Sequence, residues 1–452
     1  MITGIIQFFY PDIQKSDIRK VSLLGLTFFF IVGSYWLLRL LKDLFFYDRL
    51  GFPIDLGYLP NHGRDLLPFA KMVSPWIVLC AVIIYTKLVD MYEKHKLFYI
   101  IATFYTIAFS IIASVVFVQA KFGNAFVGAT ILKITAYSAY WLTESLGSVL
   151  VALFWSFTVS STTSDQARRT FPFIVMLGQL GSILGSSLLG IGFPVWMLFV
   201  IAITAFLGVL GTIHYLLKTV PADQMKSDKE EKKQKPDFFG GVKLLLTKPY
   251  LIGVLVVSTF YEIAGTIVDY QMKSQVMEAG IHFGWFQSVY GMSVNILSFT
   301  LALLGTSALM KKFGIRICLL VYPLSFAIML TGLYIVYQSG LATPAQLAWA
   351  AFAVMIVVKG ASYAVNNPIK EMMYIPTSKD AKFKAKGIID MLGGRSAKAG
   401  GAKISDMLKG SMDNLFLYGS LIGLGVIGLW IIAALYVGKK NKQLVDTGKI
   451  IE

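Results

Sequence analysis

Several ionisable side chains fall inside runs of apolar residues where ordinary packing has no use for charge. The first long run holds Arg39, Lys42 and Asp43; others hold Lys71 and Glu144; a later one holds Glu262, Asp269 and Lys273. Lys359, Lys370 and Glu371 follow, then Lys386, Asp390, Arg395 and Lys398. A charged group in hydrocarbon costs several kcal/mol unless it is paired or faces water, so each is a functional candidate. Arg39 and Lys42 are three apart and share a helix face, and Asp43 stands four from Arg39 where it can pair locally. Asp269 and Lys273 have the same i,i+4 relation. The cations outnumber the anions, which suits a cavity that attracts an anion. Phosphate groups suit it well, because Lys and Arg hold them by charge-assisted hydrogen bonds. The bland alternative is mutual neutralisation, or lysines that snorkel to a headgroup. The concentration of charge on the first, seventh, tenth and eleventh runs favours the anion path. Tyr35, Trp36, Trp141, Trp155, Tyr261, Tyr270, Tyr363 and Tyr374 lie near these charges. They could stack on a base, although aromatic residues in spans more often pack or anchor.

These residues must be positioned by membrane-spanning helices. The chain has 452 residues, 56% hydrophobic and only 15% charged, whereas soluble domains carry about a quarter charged residues. Runs such as Leu97–Ala120 and Leu415–Val437 exceed the roughly 20 residues needed to cross about 30 Å of hydrocarbon. Backbone groups in lipid must bond internally, so spans are helices or closed barrels, and these uniformly apolar runs do not alternate as barrel strands do. The hydropathy pattern predicts an all-α membrane protein of about twelve spans. Their centres fall near Gly33, Ile77, Ala108, Val149, Ile183, Ala205, Ile263, Leu297, Ser325, Val357, Ala399 and Gly425.

Basic residues mark alternate connections. Lys15, Arg19 and Lys20 precede the first span; Lys87, Lys94 and Lys96, then Arg168 and Arg169, then Lys226 to Lys235 follow on the same side. Lys311, Lys312 and Arg316, then Lys379, Lys382 and Lys384, and finally Lys439, Lys440 and Lys442 complete the series. The intervening connections Gly190–Trp196, Gly280–Trp285 and Gln338–Gln346 are poor in Lys and Arg. The positive-inside rule then places both termini in the cytoplasm and accounts for the net charge of +16. The N-terminus shows no short signal peptide, so the run from Val21 to Phe46 reads as a retained span.

The mostly charged stretch Met225–Pro236 reads as a solvated linker. The expected division is a first six-helix bundle over 1–220, a charged cytoplasmic linker over 221–246, a second bundle over 247–438 and a basic tail over 439–452. An internal repeat supports two halves. Thr163-Ser164-x-x-Ala167-Arg168 matches Thr377-Ser378-x-x-Ala381-Lys382; Met176-Leu177-Gly178 matches Met391-Leu392-Gly393; Gly185 matches Gly400; Lys42 matches Lys273. Two pseudo-symmetric bundles are the architecture of the major facilitator group, which holds substrate between its halves. Gly178, Gly181 and Gly185, like Gly393, Gly394, Gly400 and Gly401, suit close helix packing.

Other chemistries find no support. There is no Gly-x4-Gly-Lys-Ser/Thr phosphate loop and no Gly-x-Ser-x-Gly elbow. His62, His95, His214 and His282 lack metal-ligand spacing, and Cys80 and Cys318 lie in separate apolar runs as free packing residues. No repeated channel filter is present. An enzyme, a bound metal or cofactor and a nucleic-acid partner are therefore not expected.

The segment Asn367-Pro368-Ile369-Lys370-Glu371-Met372-Met373-Tyr374-Ile375-Pro376 resembles the most distinctive motif of the nucleotide (ATP/ADP) transporters of plastids and intracellular bacteria. Lys384-Ala385-Lys386-Gly387-Ile388-Ile389-Asp390 and the Gly394–Gly401 stretch with Arg395 and Lys398 continue it. Leu67-Pro68-Phe69-Ala70-Lys71 and Ala167-Arg168-Arg169-Thr170-Phe171-Pro172 are weaker echoes. The resemblance implies exchange of nucleotides, ATP for ADP in the best-known members and other nucleotides, NAD or nucleotide with protons in others. By motif position it favours Lys42 and Glu144, then Lys370, Lys386 and Lys398. The usual acidic position of the seventh span is filled by the shorter Asp269, and Met272 stands where an aromatic residue is usual.

The combined expectation is a secondary transporter that exchanges nucleotides by alternating access. Its substrate-binding residues are Arg39, Lys42, Glu144, Asp269, Lys273, Asn367, Lys370, Tyr374, Lys386, Asp390, Arg395 and Lys398. The alternative is a proton-coupled symporter of another nucleotide or phosphorylated organic anion. A monomer in a bacterial inner membrane is expected.

Overall fold

Long apolar stretches bounded by cap and turn chemistry fold as helices. The computed structural model describes residues 13–14, 16–47, 63–225, 238–304, 306–362, 367–378, 381, 385–386, 388–389 and 393–451. In chain order the helices are α1 Ile18–Tyr47, α2 Leu67–Met91, α3 Lys94–Phe122, α4 Ala129–Ser160, α5 Ser164–Ser187 and α6 Val195–Thr219. A linker helix, Phe238–Thr247, leads to α7 Pro249–Glu278, α8 Phe283–Leu304, α9 Thr306–Gln338 and α10 Pro344–Ala361. The short α11 Asn367–Met373, then α12 Gly394–Leu408 and α13 Met412–Asp446, complete the series.

Local chemistry sets several starts. α5 and α10 open on capping boxes, Thr163 with Gln166 and Thr343 with Gln346, which satisfy otherwise orphaned amides. Pro249 and Pro344 stand in the first turn of α7 and α10, where a missing N–H costs nothing. Ser411 accepts from the Asn414 amide at the start of α13.

Every expected span centre lies in a described helix. Among the described residues, nine helices are long and apolar enough to cross a membrane. The remaining expected centres fall on α8, α10 and α12. Lys359 lies on α10 and Lys370 on α11, with residues 363–366 between them outside the described residues. Lys386 is helical and lies ahead of α12, with residues 387 and 390–392 between them likewise outside the described residues. The segment after α11 is tied down from the far end of the chain: Ile451 accepts from the Ser378 amide and donates to the Pro376 carbonyl, each at 2.9 Å.

The chain forms two compact units. Unit 1 draws on Met1–Gly63, Cys80–Lys233 and Phe283–Asn295; unit 2 draws on Arg64–Leu79, Gln234–His282 and Ile296–Glu452. Within unit 1, α1 packs against α4, α5 and α6, while α3 packs against α4 and α6. Within unit 2, α7 packs against α10, α12 and α13, while α9 packs against α10 and α13. Counted by spans, the first helix of each set meets its fourth, fifth and sixth partners, and the third meets its fourth and sixth. The sequence repeat is thus a repeat of packing.

Glycines make the central contact of each set. A Cβ on Gly181 would collide with the Phe29 carbonyl oxygen, and one on Gly185 with that of Gly33. The α1 and α5 backbones therefore touch. In unit 2 a Cβ on Gly401 would meet the Ile263 carbonyl oxygen at 2.5 Å, whereas Gly400 has nothing within 4 Å. Gly401, and not Gly400 as the sequence repeat suggested, is the counterpart of Gly185 in packing. One residue turns about 100° round a helix, so a one-residue slip changes the face entirely. Gly401→Ala is expected to destabilise unit 2 by about 1–3 kcal/mol through overpacking against backbone. Gly400→Ala should leave the unfolding temperature in detergent unchanged or slightly raised, and the two melting curves check this.

Candidate functional site

In unit 1 the charge at membrane depth is gathered by α1 and α4. Lys42 is 5% exposed and its ammonium forms an ion pair with Glu144, which is 14% exposed. The same ammonium lies 3.7 Å from the centroid of the Tyr140 ring. Tyr140 and Glu144 are four apart, so one face of α4 presents a carboxylate and an aromatic face to one cation. One turn before Lys42, the Arg39 guanidinium sits 4.7 Å over Trp36 and 5.9 Å from the Tyr35 ring. Asp43 accepts from Gln287 Nε2 at 3.4 Å. The start of α1 is built differently. Lys20, read from sequence as a loop charge, is 2% exposed and donates to the carbonyls of Ser161 and Gln224. Asp17 beside it pairs with Arg169 at 3.2 Å. Those carbonyls tie the beginning of α1 to the α4–α5 connection and to the segment after α6, and that carboxylate ties it to α5.

In unit 2 the stripe comes from α7, where Glu262, Asp269 and Lys273 recur at i, i+7 and i+11 and so share a face. Asp269 Oδ1 lies 2.9 Å from Lys273 Nζ, and its Oδ2 lies 3.0 Å from Lys71 Nζ. Two turns away, Glu262 Oε2 pairs with Lys359 Nζ at 2.9 Å, and its Oε1 is 3.9 Å from Lys398 Nζ. Lys370 Nζ and Lys359 Nζ lie 5.3 and 5.6 Å from the Tyr261 ring centroid. α10, α11 and α12 thus each deliver one lysine toward the Glu262–Tyr261 corner of α7. Glu262 is 10% exposed and Lys359 13%, so desolvation makes each depend on its partner.

The expected residues are therefore partly assembled. Lys42 is brought together with Glu144 and Lys273 with Asp269; Lys398 faces Glu262, and Lys370 lies beside the Tyr261 ring. Arg395 lies in the first turn of α12, and Lys386 ahead of it, both half-buried. Tyr374 is buried just beyond α11. Asn367 begins α11; its side chain, and all of Asp390, lie outside the described residues. The structure adds Tyr140, and it gives partners to Lys71, Glu262, Lys359 and Tyr261, which the sequence offered as candidates outside the substrate-binding set. The signal for Glu262 was its two-turn spacing from Asp269 on one helix face. Lys71 and Lys359 were visible only as lone lysines in apolar runs, without a partner to choose them. Among the described residues no cluster of His, Cys, Asp or Glu could hold a metal ion, and Cys80 and Cys318 are free thiols.

The arrangement can bind and release an anion. Buried ammonium groups are held ready by carboxylates and ring faces, in bundles whose backbone groups bond internally. Solved structures share this fold. The nucleoside transporter NupG aligns with a TM-score of 0.61 over 94% of this chain and 99% of its own, at 14% identity. A bacterial homologue of the iron transporter ferroportin aligns with a TM-score of 0.65 over 94% of this chain and 100% of its own, at 10% identity. Among sequences, ADP,ATP carrier protein 1 of Chlamydia pneumoniae is 25% identical over 96% of this chain and 94% of its own. ADP,ATP carrier protein 1 of Rickettsia conorii is 25% identical over 96% and 95%. The chloroplastic ADP,ATP carrier protein 2 of Arabidopsis thaliana is 24% identical over 93% and 74%. The family model of the TLC ATP/ADP transporters matches residues 2–441. This multi-pass membrane protein, two repeated helical bundles with lysine–carboxylate pairs along α1 and α7, belongs to the TLC ATP/ADP transporter family.

Proposed function

We propose that the chain exchanges ATP-type and ADP-type nucleotides by alternating access, with its buried lysines as phosphate ligands. One observation carries the assignment of residues. Lys42 on α1 and Lys273 on α7 occupy matching positions in the repeat, each held by a carboxylate. Lys359 and Lys398 face a single glutamate, Glu262, and Lys370 lies 5.3 Å from the ring of the adjoining Tyr261. Phosphate oxygens accept the same ammonium hydrogen bonds as these carboxylates, so substrate displaces one anion by another and exposes no bare charge. Lys42, Lys273, Lys370, Lys386 and Lys398 neutralise phosphates in this scheme, with Arg39 and Arg395 as further cations. Glu144 and Asp269 hold lysines when substrate is absent. Asn367, Tyr374 and Asp390 complete the expected set through the Asn367–Pro376 motif and its continuation. The moving bodies are the two bundles, 1–220 and 247–438 by sequence apart from the stretches of α2 and α8 that are grouped with the other unit. The protein works as a monomer in a bacterial inner membrane with both termini in the cytoplasm.

Purified protein in proteoliposomes tests this directly. Labelled ATP should enter vesicles preloaded with ADP at least about tenfold faster than empty ones, the signature of a carrier whose empty form reorients slowly. Uptake into empty vesicles driven by a pH gradient would mark a proton symporter instead. Failure to take up any nucleotide would remove the nucleotide reading altogether.

A further inference from the structure

Asp269 holds two lysines of different standing. Lys273 lies one turn away on α7 itself, with its Nζ 2.9 Å from Oδ1 and 3.0 Å from Oδ2. Lys71 reaches Oδ2 from α2 at 3.0 Å. All three side chains are at most 15% exposed. Because Lys273 and Asp269 ride on one helix, they stay together however that helix moves. Lys71 does not share that constraint. It lies in the stretch Arg64–Leu79, which belongs to unit 2, while the same helix continues from Cys80 in unit 1.

Other polar contacts lie near the start of this stretch. Arg64 stands 3.9 Å from Glu278, the Tyr270 hydroxyl 3.5 Å from Asp65 Oδ1, and Lys409 Nζ donates to the Asp65 carbonyl at 3.1 Å. Pro75 lies between Lys71 and the unit boundary. Its missing N–H removes the helix bond that the Lys71 carbonyl would accept, and its ring crowds that carbonyl, so α2 is weakened where a hinge would be needed.

We propose that Lys71 is the detachable counter-ion of Asp269. The stretch of α2 that carries it parts from α7 during the transport cycle, and an anionic phosphate group takes over the ammonium. This inference rests on the exchange reading and supplies the reason for it. When the pair parts, Asp269 keeps Lys273, but Lys71 leaves its carboxylate at membrane depth. That desolvated ammonium is the cost of parting, and a phosphate removes it. An empty carrier is held shut; a loaded one is released. Lys71 therefore acts on coupling, whereas a merely structural ion pair would act on stability alone.

The test compares wild type with Lys71→Gln in proteoliposomes with and without internal ADP, and follows amide hydrogen exchange of residues 64–79 in detergent without nucleotide. Lys71→Gln should take up labelled ATP into empty vesicles about tenfold or more faster than wild type does, equivalent to about 1.4 kcal/mol off the barrier. Its 64–79 amides should exchange faster, while those of α13 stay unchanged. A Lys71→Arg variant should keep the wild-type requirement for internal ADP. A Lys71→Gln protein that needs internal ADP as strictly as wild type overturns the proposal, as does one whose 64–79 amides are as protected. If that variant carries no flux, wild type decides: added ATP should speed exchange of its 64–79 amides, which a merely structural pair would not do, and amides that ATP leaves as protected overturn the proposal. Wild type that exchanges no nucleotide would end the exchange reading, and the amide comparison would still judge the hinge.

Discussion

Replacing Lys42 by alanine is expected to reduce ATP/ADP exchange by about 100-fold or more. The pair it forms with Glu144 is buried on both sides, and removing one member of a buried pair costs about 3–5 kcal/mol. Part of that loss is structural, since Glu144 would face a cavity where an ammonium stood, and the Tyr140 ring would lose the cation 3.7 Å from its centroid. The functional part separates in a cycle. Removing both partners, Lys42→Ala with Glu144→Ala, eliminates the buried carboxylate and should recover most of the melting temperature lost in the single variant. Transport should not recover, because the phosphate ligand is still missing. If the double variant regains exchange along with stability, Lys42 is a packing element and the substrate assignment of the α1 charges fails. Lys42→Arg should keep partial activity: it retains charge but brings a planar fork to a site shaped for a point cation stacked on a ring.

Much of the fold was legible because hydropathy and packing obey the same local rule. Each apolar run had to be a helix, and every expected centre from Gly33 to Gly425 lies in one. Helix partners were legible only where the repeat spoke. Lys42 and Lys273 are 231 residues apart, and so are Phe28 and Thr259, which pack against Gly178 and Gly393 respectively. Ion-pair partners were mostly not legible. Lys42 meets Glu144 across 102 positions, Lys71 meets Asp269 across 198 and Lys359 meets Glu262 across 97. No periodicity links such residues; only tertiary packing does. Asp269–Lys273 was the exception because a helix turn joins them. The assignment of Arg64–Leu79 and Phe283–Asn295 to units other than their sequence neighbours' was equally hidden. The hydropathy of α2 and α8 is the same whichever bundle they lean on.

Glu262→Gln is expected to raise the apparent affinity for ATP about tenfold while lowering the maximal exchange rate by a similar factor. In the proposed scheme Glu262 competes with the substrate for the lysines it faces. Its Oε2 holds Lys359 at 2.9 Å and its Oε1 faces Lys398 at 3.9 Å, with Lys370 beside Tyr261 on the same corner. A phosphate that binds these lysines must first displace a carboxylate, and on release the carboxylate must win them back. An amide keeps the shape and accepts a hydrogen bond but carries no charge, so the lysines become freer for phosphate and slower to let it go. One charge-assisted hydrogen bond to a carboxylate is worth about 1.5–3 kcal/mol, and losing the larger part of one such competitor corresponds to about tenfold in binding. The direction distinguishes the roles. If Glu262 only neutralises its neighbours, Glu262→Gln leaves ammonium groups desolvated, lowers the melting temperature and weakens or spares nucleotide binding. If it competes, binding of labelled ATP to the detergent-solubilised variant tightens while exchange slows, and added ATP restores the melting temperature more strongly than in wild type. Binding that stays unchanged in a stable variant would exclude the Glu262 corner from the phosphate path and leave Lys42 and Lys273 as the cations to pursue.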